Sequence, residues 1–224
     1  MDGSLIALAL ANIAFVGTHF VMSHTLRRHI EALIGRKFFP VLYSLVSLAI
    51  FAWIIAAFRA APTGDLPGSG KYGWIIATVI LIPALVLWTG SYVRNPAMPM
   101  PGANEAARAE PKGVFAVTRH PMMWGFALWA LSHLILFYSW RTMITAGAMG
   151  FLALYGSHLQ DRKKRAQMGE DWELWQSRTS YWPRWHKLFS AGGLVWAIAL
   201  IVWVFFSWLH MPVGGIPAGI WRWF

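Results

Sequence analysis

The stretch Thr118-Arg-His-Pro-Met-Met-Trp-Gly-Phe-Ala-Leu-Trp-Ala-Leu-Ser-His133 decides how the chain is read. It opens on a polar, basic corner, Thr118-Arg119-His120. Pro121 follows, suited to the first turn of a helix, where its missing N–H is not needed. From there to Tyr138 no residue is charged, yet His133 sits thirteen positions inside the apolar run. At about 1.5 Å per residue it lies roughly 20 Å along the helix. An ionisable group at that depth in an apolar span is a functional-site hypothesis. The alternative is a neutral histidine hydrogen-bonded to a neighbouring helix.

Outward from this stretch the chain reads as a membrane protein. It is 57% hydrophobic and 12% charged, with 15 Trp among 224 residues. Soluble domains carry roughly a quarter charged residues, and Trp collects at membrane interfaces. Six apolar runs follow one another: 4–23, 40–58, 72–93, 121–138, 142–157 and 191–209. None contains Asp, Glu, Lys or Arg, so a charged ion pathway is not expected. Pro83 predicts a kink in the third run. Trp140-Arg141 leaves so short a turn that runs four and five are expected to form an antiparallel hairpin. The connection Asn95–Pro111 carries four prolines and is the one stretch whose composition resembles disorder. The first run lacks a basic leader and is expected to be a retained span. The reading is an all-α, polytopic bundle of six transmembrane helices, one domain over 1–224.

Charge placement orients it. Arg27, Arg28, Arg36, Lys37, Arg94, Arg108, Lys112, Arg119, Arg162, Lys163, Lys164, Arg165, Arg178, Arg184 and Lys187 fall on one side, leaving Arg59, Lys71, Arg141 and Arg222 on the other. The positive-inside rule makes the first side cytoplasmic and puts both termini outside, as in a bacterial inner membrane. The net charge of +10 then reflects topology and anionic lipid headgroups. A nucleic-acid role has no motif behind it.

The histidines sort by depth. His24, His29, His120, His158 and His186 sit at cytoplasmic span ends, near water, and His210 at the outer end of the sixth span. His19 and His133 are deep. Measured from Arg27 and Arg119 they lie about 12 Å and about 21 Å in, an offset of about 9 Å. Two buried imidazoles on different spans suit haem, whose iron takes histidine as axial ligand. Gly17 and Gly125 are small enough to make room for a macrocycle, and Trp129 is placed to pack on the His133 ring. Zinc fits less well, since it wants three or four protein ligands, and the chain has no cysteine.

Three motifs carry a resemblance. They are Gly17-Thr-His-Phe-Val-Met-Ser-His-Thr-Leu-Arg27 with Gly35 and Tyr43, Arg119-His-Pro through Trp129-x-x-x-His133, and Arg178-Thr-Ser-Tyr-Trp-Pro183. Together they resemble the NnrU family of polytopic membrane proteins, to which the plant zeta-carotene isomerases are related. The resemblance implies haem b, with His133 as one ligand and the first span supplying the other, at His19 or, less well aligned, at His24. It implies either a redox-linked cis–trans isomerase acting on an apolar polyene or an accessory role in nitrite and nitric oxide reduction. In the isomerases a cysteine three residues before the motif histidine exchanges with a ligand; here that position is Ala130. Arg119-His-Pro-Met-Met-Trp-Gly125 also resembles isoprenylcysteine and phospholipid methyltransferases, which would make Arg119, His120 and His158 an adenosylmethionine site. The plainer reading of that cluster is a charged rim against headgroups and the Asp161–Glu173 segment. A non-catalytic partner of a respiratory complex is the third option.

The orientation is tested by fusion: alkaline phosphatase placed after Phe224 is expected to be active and after Lys164 inactive. The opposite pattern inverts the topology.

Overall fold

The computed structural model describes residues 2–98 and 101–224; Pro99, one of the loop prolines, lies outside them. The described residues form helices and loops without strands. In chain order the helices are α1 Gly3–Phe20, α2 Arg27–Ile34, α3 Phe39–Ala60, α4 Gly70–Gly90, α5 Ala103–Arg108, α6 Val114–Val117, α7 Pro121–Leu136, α8 Trp140–Met168, α9 Glu170–Arg178 and α10 Gly193–Gly214. A π-helical turn, Val21–Thr25, prolongs α1, and 3₁₀ turns cover Trp185–Ala191 and Gly219–Arg222.

Four of these are long and apolar enough to cross a bilayer: Gly3–Thr25, α3, α4 and α10. Helix α7 is apolar but 16 residues long, about 24 Å, against a hydrocarbon core near 30 Å. Helix α8 is long, at 29 residues, but its second half is charged. It does not stop at Ser157, where the fifth apolar run ends. Helix-favouring Gln, Arg, Lys and Ala continue it to Met168. The protein is an integral membrane protein, and its large apolar side chains are exposed as lipid-facing groups are, among them Ile13, Leu48 and Ile201.

The main helix contacts form a row: α10 on α4, α4 on α7, α7 on α8, α8 on α1, and α1 on α3. Helices α7 and α8 are the antiparallel hairpin the sequence predicts, with the turn at Phe137–Ser139, just before Trp140. Phe137 takes a left-handed conformation there (φ 45°). The Pro/Gly-rich loop after α3 folds back on this turn. The N–H groups of Leu66, Gly68 and Ser69 donate to the carbonyls of Tyr138, Phe137 and Leu136. Helix-end carbonyls have no partner inside the helix, so the loop supplies it.

Small residues set the closest approach. A Cβ on Gly125 would stand 2.8 Å from the Ala84 carbonyl oxygen and 3.2 Å from Trp88 Cβ. Gly125 therefore lets α4 press against α7, as small residues do in membrane bundles. It does not open room for a macrocycle, as its spacing from His133 had implied, because α4 fills that space. At Gly17, by contrast, an added Cβ meets nothing within 4 Å.

The best-buried large side chains are those of α9. Trp172 and Trp175 of α9 pack with Phe115 and Val117 and with Val86 and Leu87 of α4. The Asn95–Pro111 connection is ordered over its described residues and docked. Lys164 Nζ donates to the Pro96 carbonyl at 3.0 Å. Asn104 and Arg108 both bind the Asp171 carboxylate, Arg108 through two nitrogens at 2.7 and 3.0 Å. Proline-rich composition resembled disorder, but these distant partners hold the segment.

Gly125→Val is expected to destabilise the protein by about 1–3 kcal/mol, since backbone oxygen cannot move aside as a side chain can. Gly17→Ala is expected to leave thermal unfolding in detergent unchanged; equal melting temperatures for Gly125→Val and wild type would contradict the packing argument.

Candidate functional site

Two of the sequence motifs meet at the start of α7. The Arg119 N–H donates to the Ser180 carbonyl at 2.8 Å, and the Arg184 N–H to the Val117 carbonyl at 2.9 Å. The Thr118 hydroxyl donates to the carbonyls of Ser180 and Tyr181 at 3.2 and 2.8 Å. Trp124 Nε1–H also donates to the Tyr181 carbonyl, at 2.8 Å. The Tyr181 hydroxyl closes the join on α8, bonded to Ser157 Oγ and the Leu154 carbonyl, both at 2.8 Å. Segments sixty residues apart are thus laced together over the start of α7.

Beneath this join Asp161 of α8 holds both basic residues of the corner. Arg119 donates Nη2–H at 2.6 Å and Nε–H at 3.0 Å, and His120 donates Nε2–H at 2.9 Å. His120 is buried, not set in water at a span end, because α8 carries the carboxylate over it. Trp172 and Tyr181 ring its imidazole, at 6.5 and 5.7 Å between centroids, and its Nδ1 has no hydrogen-bond partner among the described residues. Burial pushes the Asp161 carboxyl up, but the hydrogen bonds and charges of His120 and Arg119 outweigh it and bring its pKa down to about 2. Asp161 was visible in the sequence only as a lone acid after the fifth apolar run. Its partners, forty residues away, could not be read there.

Beside this cluster lies an open cavity of about 600 Å³. Arg119, Asp161 and His158 give it a polar side; Phe151, Leu154, Tyr155 and Trp182 give it an apolar one. Of the residues suited to adenosylmethionine, Arg119 and His158 line it, while His120 is behind the carboxylate. Arg119 and His120 are both engaged by Asp161.

The deep histidines share one local device. His19 Nδ1–H donates to the Phe15 carbonyl at 2.7 Å, and His133 Nδ1–H to the Trp129 carbonyl at 2.8 Å. Each ring thereby becomes the tautomer whose Nε2 lone pair is free, as in metal-ligating histidines that donate their other N–H to a carbonyl. Neither Nε2 has a hydrogen-bond partner among the described residues. As donors, both fit an axial role at haem iron. Trp129 packs on the His133 ring, with centroids 4.5 Å apart. On the α8 axis, Asn12 is level with Thr145, Phe20 with Phe151 and Tyr155, and Ala130 with Gly150. His19 is then near the level of Leu152 and His133 near Gly147, about 8 Å apart along the axis.

Their surroundings differ. The His19 ring stands between Phe15 and Tyr43 of α3, at 4.2 and 5.4 Å. The His133 ring faces His210 of α10, at 6.2 Å. The two share no ring neighbour. His24, on the π-helical turn, is exposed. Among the described residues no group of three or more His, Asp or Glu is placed to hold a bare metal ion.

Asp161→Asn leaves the half-buried Arg119 without its counter-charge and is expected to cost about 3 kcal/mol. The depressed carboxylate contributes stability that is complete above about pH 4 and lost as pH falls through about 2, on the order of 2 kcal/mol. Acid unfolding in detergent reads this directly: wild type should lose stability in that window and Asp161→Asn should not.

The comparisons with known proteins agree with the resemblance in the motifs. The NnrU protein family model matches residues 7–218. The chain is 26% identical over 193 residues to a 15-cis-zeta-carotene isomerase, chloroplastic, of Zea mays, covering 81% of this chain and 50% of that protein. It is 26% identical over 192 residues to the protein of the same name from Arabidopsis thaliana, covering 80% and 49%. The chain thus spans about half the length of the curated relatives it matches. No solved structure matches. With its three motifs and nearly its whole length inside the family model, the chain belongs to the NnrU family.

Proposed function

We propose that this chain is a haem-b membrane protein that acts on an apolar polyene by cis–trans isomerisation, in which His133 would hold the iron. The observation that carries the reading is the His133 imidazole. It sits in the Trp129-x-x-x-His133 pattern, its Nδ1–H is held by the Trp129 carbonyl at 2.8 Å, and its Nε2 is free. The distant likeness to proteins named as carotene isomerases supports the substrate class.

Bound there, haem supplies an iron whose ligation can change with oxidation state. The chain's own residues do the rest. The Trp129 carbonyl fixes the tautomer and raises the basicity of the ligating nitrogen. The Trp129 indole restrains the ring against rotation. Lipid-facing apolar side chains keep bulk water from the site and are compatible with a hydrocarbon substrate. A thiol ligand exchange is closed to this chain, since Ala130 stands at that position and there is no cysteine. His19 has the same tautomer and is the first-span candidate that the resemblance favours; exposed His24 is the weaker one. An accessory role in nitrite and nitric oxide reduction would use the same iron, with nitric oxide as its ligand. The setting consistent with the charge placement is a bacterial inner membrane.

The visible spectrum of detergent-purified, haem-supplied protein tests the reading. Wild type is expected to show a Soret band with reducible alpha and beta bands, and His133→Ala to lose the haem or turn it high-spin. His120→Ala should retain wild-type haem content. A His133→Ala protein with an unchanged spectrum defeats the assignment. Adenosylmethionine binding by a colourless wild type favours the methyltransferase reading.

A further inference from the structure

We infer that the open cavity beside Asp161 seats one anionic phospholipid, its phosphate held by Arg119, His158 and Arg162 and its chain laid along α8. The inference does not depend on the haem reading above. Its basis runs along one face of α8. Phe151, Tyr155, His158, Arg162 and Arg165 recur at i, i+4, i+7, i+11 and i+14, the spacing of a single helical stripe. The stripe changes character once. Phe151 and Tyr155 are exposed aromatic side chains, while Arg162 and Arg165 are exposed and basic. The change falls at His158, about 10 Å along the helix from Phe151. A phospholipid has the same order, hydrocarbon first and then phosphate.

The cavity lies where the stripe changes, with Phe151, Leu154 and Tyr155 on its apolar side and Arg119 and His158 on its polar side. Helices α1 and α7 both pack on α8. Phe20 of α1 meets Phe151 and Tyr155 edge-on at 6.0 and 5.4 Å. Trp182 rests on Trp124 of α7 at 5.3 Å. The apolar side is therefore a slot between α1 and α7 with α8 as its floor, and Tyr and Trp are residues of the headgroup level. The polar end offers donors. Arg119 spends Nε–H and Nη2–H on Asp161; its Nη1 is neither bonded to a described residue nor enclosed. His158 is exposed, with its ring beside Tyr155 at 6.4 Å. The Asp161 charge is already answered by Arg119 and His120. The charges of Arg162 and Arg165 remain over, Arg165 being bonded only to the neutral amide of Gln176. Basic side chains in such a position attract anionic lipid.

The test is native mass spectrometry of the full chain, purified in detergent, stripped of lipid and offered phosphatidylglycerol or phosphatidylcholine with identical chains. Wild type should hold one phosphatidylglycerol about tenfold more tightly than phosphatidylcholine, the worth of a well-placed charged hydrogen bond. The double variant His158→Gln, Arg162→Gln should lose that preference; both positions are exposed, so the fold is kept. Leu154→Trp should fill the slot and weaken both lipids. Lys37→Gln removes an exposed positive charge elsewhere and should leave the preference unchanged. A wild type without the preference overturns the inference, as does a preference that survives the double variant. Inorganic phosphate that binds as tightly as the lipid, and equally well to Leu154→Trp, overturns it in favour of a bare anion site. Adenosylmethionine that displaces phosphatidylglycerol from wild type overturns it in favour of a soluble cofactor. Each of these results is read whether or not the protein carries haem.

Discussion

The Asp161 carboxylate, enclosed with Arg119 and His120, is the constraint on which this end of the fold depends. Its charge is tolerable in a buried place only because three N–H groups point at it from two residues. Attraction in such surroundings is strong, but so is the cost of leaving water. The arrangement therefore allows little drift. Helix α8 must extend far enough to deliver the carboxylate, α7 must begin where Arg119 and His120 can reach it, and the Thr179–Pro183 segment must cover both. Tyr181 contributes twice, by its carbonyl to Thr118 and Trp124 and by its hydroxyl to α8. Its ring also lies 5.5 Å from the Arg119 guanidinium, within reach of a cation–π attraction.

Fixing that rim fixes the row of helices above it. Within the bilayer there is no hydrophobic force pressing helices together, and close packing takes its place. Gly125 against α4 and Gly150 against Ala130 show how it is achieved: a Cβ added at either would stand 2.8 or 3.0 Å from its neighbour, so larger residues would hold the helices apart. Helix α7, flanked by α4 and α8, is thereby held along two sides. Its His133 emerges on a third side, toward α10. The position of the imidazole is set by packing that does not involve it.

The histidines separate into two electrostatic kinds. His120 uses Nε2–H to meet a carboxylate and so belongs to the ionic frame. His19, His133 and His210 each spend Nδ1–H on the carbonyl one turn earlier in their own helix, which leaves Nε2 as the other ring nitrogen. Three repeats of this device lie on apolar helices, and none of the three bonds across to another helix. Helix geometry alone provides it, since the residue four positions back always offers a carbonyl in reach.

Much of this was legible in the residues. Apolar runs free of charge predict membrane helices because the bilayer admits little else. The turn between α7 and α8, the depth difference of His19 and His133, and the packing of Trp129 on His133 follow from rise and periodicity, which are local. Composition misled where tertiary contacts dominate: the proline-rich connection is docked on α8 and α9, α8 outruns its apolar stretch, and Gly125 serves a helix crossing. The partners of a side chain depend on which helices become neighbours, and spacing along one helix carries no information about that. The sequence by itself therefore determined a helical membrane protein, its motifs and its candidate imidazoles. Only the tertiary structure decided that Asp161 gathers Arg119 and His120, that Tyr43 attends His19, and that His133 faces His210, because each of these pairs is made by helices distant in the chain and adjacent in space.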